Sequence, residues 1–241
     1  MGESKRAARR QKTKVEHIDR KVARTTGAAR HSVLVKAMGQ ASELADQPPL
    51  IALSGATLAL GLVTRNGRLA RTGARMLASH WLATQAKSFV KHRIDRLRPF
   101  AMLRGEAYHA RAGHSSAKAE SSFPSGHMAG AVAVARAAAR DYPAGRPIGY
   151  TAATAAGAIQ LPRGAHYLSD ILVGAAIGWM SELLVSAILP ATSKKPPEAT
   201  GLEDCVGDGG RTGTAAGDDA WAGTSPPTMR PAFEGDRSWP I

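Results

Sequence analysis

The sequence predicts an all-α protein: a membrane-embedded bundle of about five spanning helices with an N-terminal amphipathic helix. Three observations lead there. Gln47–Thr64 and Pro147–Leu161 contain no charged residue. Ser125–Arg140 is rich in Ala and Val and reads as a helix. Leu168–Leu189 is apolar except for Asp170 and Glu182, and it has the roughly 20 residues that a bilayer crossing requires.

Taken in order, residues 1–27 form a basic head that reads as disordered. Residues 1–36 hold eleven Lys/Arg against three Asp/Glu, within a chain of net charge +13. Such a head suits an anionic membrane surface. It contains no aromatic residue to stack on bases, so nucleic acid is not the expected partner. The first 32 residues lack the apolar stretch of a secretory signal.

Residues 28–46 place Val33, Leu34, Ala37, Met38, Ala41 and Leu44 near i, i+3, i+4 spacing. The segment is too polar to span and is expected to lie in the membrane interface. The membrane domain then runs over residues 47–190, with spans near 48–64, 69–90, 126–140, 147–161 and 168–189. Arg65–Arg68 supplies a turn around Asn66 and Gly67, Arg98–Phe123 a loop, and Pro162–Ala165 a break. Residues 191–241, with eight Gly and six Pro, cannot bury a core and read as a disordered tail. Cys205, the sole cysteine, excludes an intrachain disulfide, and no zinc-type Cys/His spacing is present.

Three short motifs carry the chemistry. Lys91–Pro99 (KHRIDRLRP) places Lys91 and Arg98 seven residues apart; if the helix continues to Leu97, both cations share one face. Pro124–His127 (PSGH) opens the Ala/Val helix. Ser125 can cap it, Gly126 lets backbone N–H groups approach a ligand, and a helix N-terminus favours phosphate. His166–Asp170 (HYLSD) opens the most apolar helix, with the two residues adjacent at i, i+4. Asp170 can accept a hydrogen bond from one imidazole nitrogen and leave the other free to attack. A carboxylate at the head of a membrane helix is costly without a partner. Cations, a helix N-terminus and two histidines suit phosphoryl transfer, which needs mainly positioning and charge stabilisation.

These motifs, in this order, resemble those of the type 2 phosphatidic acid phosphatase superfamily: K-x6-RP, PSGH and SR-x5-H-x3-D. The resemblance spans roughly Pro48 to Leu189. It implies His166 as nucleophile, Asp170 as its orienting partner and His127 as the acid that protonates the leaving group. Lys91, Arg98, Ser125 and Gly126 would hold phosphate oxygens, and the family's chemistry uses no metal or other cofactor. The expected substrate is a lipid phosphate, in a bacterial inner membrane. The third motif departs from the pattern, because its Ser-Arg is here Ile159 and Gln160. Arg163, three residues later, is the expected substitute. His80, His92, His109 and His114 match no motif and read as surface or packing histidines.

The rival readings are a vanadate-dependent haloperoxidase, a non-catalytic bundle marked by Gln160, and an anchor acting through the basic head. Five spans would place the head and all three motifs on one side. The Lys/Arg count of the head and of residues 91–122 makes that side the cytoplasm.

Overall fold

The computed structural model describes residues 2–115 and 117–189, with side-chain burial described from residue 13 onward. The predicted tail and Cys205 lie outside the described residues. The chain is helical almost throughout: α1 (Gly2–Gly27), α2 (Val33–Ser42), α3 (Gln47–Val63), α4 (Gly67–Lys91), α5 (Pro99–Met102), α6 (Gly126–Asp141), α7 (Arg146–Ala158) and α8 (Leu168–Ile188). An antiparallel ribbon of β1 (Ile94–Arg96) and β2 (Ala110–Ala112) interrupts it, pairing Asp95 with Arg111.

The five expected spans correspond to α3, α4, α6, α7 and α8 within a few residues. By length and composition, α8 alone among the described helices is long and apolar enough to cross a membrane; α3 is apolar but shorter. The head differs from expectation. Residues expected to be disordered form α1, whose Asp19, Ala23 and Gly27 are buried. Their spacing of four places them on one face, and α1 lies against α5 and α8. Residues 28–46 are also not one helix. The chain turns at Ala28–Ser32, Ser32 caps α2 by accepting from the Val35 N–H, and a single tight turn follows at Glu43–Ala45.

Helix α6 is the axis, packed against α4, α7 and α8 and touching α3. Its buried residues are mostly small: Ala129, Gly130, Ala131, Ala133, Ala137 and Ala139. Small side chains let helix backbones approach closely, the usual solution inside a membrane. The approach is tightest against α8, where a Cβ on Gly174 would lie 2.5 Å from the Ser125 carbonyl oxygen and one on Gly178 2.3 Å from that of Ala129. Only glycine fits at either place.

On α4 and α8, polar and charged side chains turn inward beside apolar ones, while several large apolar side chains face outward. Helix α4 buries Arg75, Ser79 and His80 but exposes Trp81 and Phe89. Helix α8 buries Ser181 and Glu182 but exposes Leu172, Trp179, Met180, Leu184 and Ile188. The inward charges are paired. Glu182 accepts from Arg136 Nε (2.9 Å) and Arg140 Nε (2.8 Å), and Arg75 bonds Asp141 and, at 2.7 Å, the Leu189 carbonyl. Glu182 thus points inward, with Arg136 and Arg140 as its partners.

Candidate active site

At one end of the bundle, the starts of α6 and α8 and the end of α4 surround a cavity of about 570 Å³. Lys91, Arg98, Gly126, His127, Arg163 and His166 all line it, together with Lys87, Lys118, Glu43, Asp46 and Gln160. Residues singled out over 75 positions of sequence thus share one space.

Lys91 and Arg98 arrive there differently from the sequence expectation. Helix α4 ends at Lys91, the chain turns through His92–Arg93, and β1 follows, so no continuous helical face joins them. Arg98 instead sits at the N-cap position of α5, with Pro99 at the first helical position rather than ending a helix. Arg98 Nη2 reaches Ser121 at 3.4 Å, and its buried Nε has no protein partner. Burial lowers the affinity of this guanidinium for its proton, the nearby Asp170 opposes that, and Arg163 adds to it.

The PSGH segment turns into α6 after a cis Phe123–Pro124 bond. Ser125 stands at the N-cap but makes no side-chain capping bond, contrary to expectation. Its N–H donates to the Asp170 carbonyl (3.1 Å), tying the heads of α6 and α8 together. Its Oγ is buried with no hydrogen-bond partner; His127 Nε2 likewise makes no hydrogen bond, its nearest carboxylate oxygen being Glu43 Oε2 at 3.9 Å. Buried polar groups without partners are uncommon and call for an explanation. Here three of them, on Arg98, Ser125 and His127, come from two separate motifs, and Arg98 and His127 line the one cavity. Gly126 is held close to Lys87, whose Nζ would lie 2.9 Å from a Cβ placed there.

His166 is buried, and its ring is fixed from behind. Nδ1 lies 2.6 Å from the Ser122 carbonyl oxygen, which can only accept. In the neutral ring this contact selects the tautomer with the proton on Nδ1 and the lone pair on Nε2. This corrects the expected His166–Asp170 hydrogen bond: Asp170 Oδ2 is 3.8 Å from Nδ1. The carboxylate is occupied otherwise. Oδ2 accepts from Ser122 Oγ and from the Tyr167 N–H (2.8 Å), and Oδ1 from Arg96 Nη1. Asp170 thus orients the segment that orients the histidine. Burial alone would depress Arg96, but the charges of Asp170 and Asp19 outweigh it and hold the guanidinium protonated above its ordinary value.

Arg163 does turn toward the cavity with Lys91, Arg98 and His166. Its guanidinium is engaged there, donating to Glu43 Oε1 (2.8 Å) and Ser42 Oγ (3.1 Å). Gln160, at the position of the missing arginine, donates to Ser42 Oγ (3.2 Å) and the Ala156 carbonyl (3.1 Å). Glu43, Asp46 and His127 form the one group of potential metal ligands among the described residues, their ligand atoms within 4.8 Å of one another. Glu43 is already paired with Arg163, and Asp46 shares the cavity with Lys87 and Lys91. His109 and His114 stay outside it: His109 contacts Glu120, and His114 the His92 carbonyl.

Sequence reasoning missed Lys87, Lys118, Glu43, Asp46, Ser122, Asp19 and Arg96. Only Lys87 carried a signal, standing one helical turn before Lys91 on the same face.

No curated protein sequence matches the chain. Among solved structures, it is similar to a transmembrane PAP2-type phosphatidylglycerolphosphate phosphatase from Bacillus subtilis. The TM-score is 0.50 at 17% identity, over 75% of this chain and 89% of that one. It is also similar to Aquifex aeolicus LpxE, with a TM-score of 0.47 at 22% identity, over 69% of this chain and 93% of that one. A family profile described as PAP2 superfamily matches residues 72–194, which include most of α4, all of α6, α7 and α8, and every motif residue named above. With its fold, its three motifs in order and that match over half its length, the chain belongs to the PAP2 superfamily.

Proposed function

We propose that the protein is an integral membrane phosphatase that removes phosphate from a lipid, with His166 as nucleophile and without a metal ion. The observation that carries the reading is the cavity itself. It joins an imidazole with its Nδ1 proton pinned and Nε2 free, a second imidazole, and the side chains of Lys87, Lys91, Arg98, Lys118 and Arg163. A phosphoryl group is the small tetrahedral anion that such a cluster fits.

In this reading His166 Nε2 attacks phosphorus as the bond to the leaving oxygen breaks, and His127 gives that oxygen its proton. Water then attacks the phosphohistidine, losing a proton to His127, and inorganic phosphate departs with His166 regenerated. Lys91 and Arg98 face the oxygens with the Ser125 hydroxyl and the first-turn N–H groups of α6, which have no intrahelical partners. Arg163 supplies the charge that Gln160 lacks. The outward-facing apolar side chains and the small-residue α6–α8 contact support a membrane-embedded bundle, which we read as five spans with the cavity near one membrane surface. Such a position suits a substrate whose phosphate lies at headgroup level and whose chains remain in the bilayer.

The deciding experiment is phosphate release by purified protein in detergent micelles. The panel is phosphatidate, phosphatidylglycerol phosphate, polyprenyl mono- and diphosphates and a phosphorylated lipid A. At least one should be hydrolysed, and His166→Ala should abolish it. Absence of phosphate release from the whole panel, or turnover unchanged by His166→Ala, overturns the reading.

A further inference from the structure

Helix α1 lies outside the matched segment, yet it reaches the back of the nucleophile. Asp19, 1% exposed, accepts from Arg96 Nη2 at 2.7 Å and from the Ser169 N–H at 3.0 Å, and also from Ser169 Oγ. It therefore caps the first turn of α8 from another part of the chain while gripping Arg96. Arg96 is itself buried. Its other nitrogen, Nη1, donates to Asp170 and, at 2.8 Å, to Ser169 Oγ. One planar guanidinium thus bridges two buried carboxylates, a task its fork geometry performs and a lysine's single ammonium does not. From Asp170 the connection continues through Ser122, whose hydroxyl donates to the carboxylate and whose carbonyl holds His166 Nδ1. Arg96 also receives the Ser122 N–H at its own carbonyl, 3.1 Å away.

We propose that Asp19 and Arg96 are positioning residues for the nucleophile, so that α1 completes the active site rather than serving as a detached basic head. This role rests on the reading of His166 as nucleophile and on the geometry of the connection. Asp19 and Asp170 hold Arg96 from its two terminal nitrogens. With Asp19 neutral, Arg96 keeps one carboxylate, Asp170 is drawn by an unopposed cation, and the Ser122 carbonyl that fixes the imidazole moves with it. A misplacement of about 1 Å at a reacting group can cost on the order of 10²-fold in rate. None of these hydrogen bonds is made by Lys91, Arg98 or Arg163, so substrate affinity should change little.

The test uses the full-length protein and the lipid phosphate it hydrolyses best. Asp19→Asn, close to isosteric, should lower kcat by one to two orders of magnitude while KM stays within about twofold. Ser169→Ala, which removes the hydroxyl lying between Asp19 and Arg96, should give a smaller loss of the same kind. It stands in if Asp19→Asn fails to fold. Arg96→Lys should not retain wild-type kcat. Asp19→Asn combined with Arg96→Lys should be no slower than Arg96→Lys alone, because both act through one connection. Lys21→Gln, on the exposed face of α1, should leave kcat unchanged. Wild-type kcat in both Asp19→Asn and Ser169→Ala overturns the inference. So do additive losses, or a rise in KM that matches the fall in kcat. Failure of wild-type protein to release phosphate from any lipid is a different result: it removes the proposed activity, and this inference with it.

Discussion

Arg163→Ala tests whether a cation three residues out of register can replace the one missing at Gln160. Its guanidinium lines the cavity but is bound to Glu43 and Ser42. Two consequences separate. As a structural element the Arg163–Glu43 pair is worth little, because both partners are partly exposed, at 31% and 52%, and such pairs contribute at most about 1 kcal/mol. As a donor to a phosphoryl oxygen in the transition state it is worth far more, since removing one such donor typically costs about 10²–10³ in kcat, or roughly 2.7–4 kcal/mol. The expected signature is therefore a nearly unchanged unfolding temperature with a loss of two to three orders of magnitude in kcat/KM. The assay is phosphate release in mixed micelles, with thermal unfolding followed on the same preparations. Glu43→Gln should act in the opposite direction on binding, because it frees the guanidinium for the substrate anion. An Arg163→Ala variant of full activity would refute the substitution and leave Gln160 as a neutral contact.

Three further outcomes follow from the structure. Gly178→Val should destabilise the bundle by about 1–3 kcal/mol or prevent its folding, since its added atoms meet the Ala129 carbonyl; thermal unfolding in detergent measures it, and a wild-type midpoint would contradict the packing described. Activity should survive chelation by EDTA. Loss restored by magnesium would instead point to Glu43, Asp46 and His127 as metal ligands. An alkaline phosphatase fused to the C-terminus should be active and a fluorescent protein there dark, which would place the site on the cytoplasmic side; the reverse pattern would place it outside.

Helices α3, α6, α7 and α8 were legible because charge-free runs and the Ala/Val segment mark them directly, whereas α1 was not. The convergence of Lys91, Gly126, His127 and His166 was legible because their motifs occupy helix ends, where ligand-binding groups are freest. What the sequence hid was long-range pairing. Asp19 sits among eleven basic residues and looks like one more solvated charge, and only folding brings it to Arg96, 77 positions away. The i, i+4 spacing of His166 and Asp170 suggested a direct hydrogen bond, but His166 precedes the first helical residue. The carboxylate turns back to the Tyr167 N–H instead, and a carbonyl from a different loop accepts the imidazole N–H hydrogen bond. Likewise Lys91 and Arg98 meet across a chain reversal rather than along a helix. Local periodicity carries no information about such a turn.

The central claim is covalent catalysis by His166, and the most direct measurement is the intermediate itself. Purified protein is mixed with a substrate labelled in its terminal phosphate, quenched in base within milliseconds to seconds, and digested for peptide mapping. Acid-labile, base-stable label is expected on the peptide containing His166. It should accumulate further in His127→Asn when the hydrolysis step is the slower one, and vanish in His166→Ala. Label on another residue, or full turnover in His166→Ala, would contradict it.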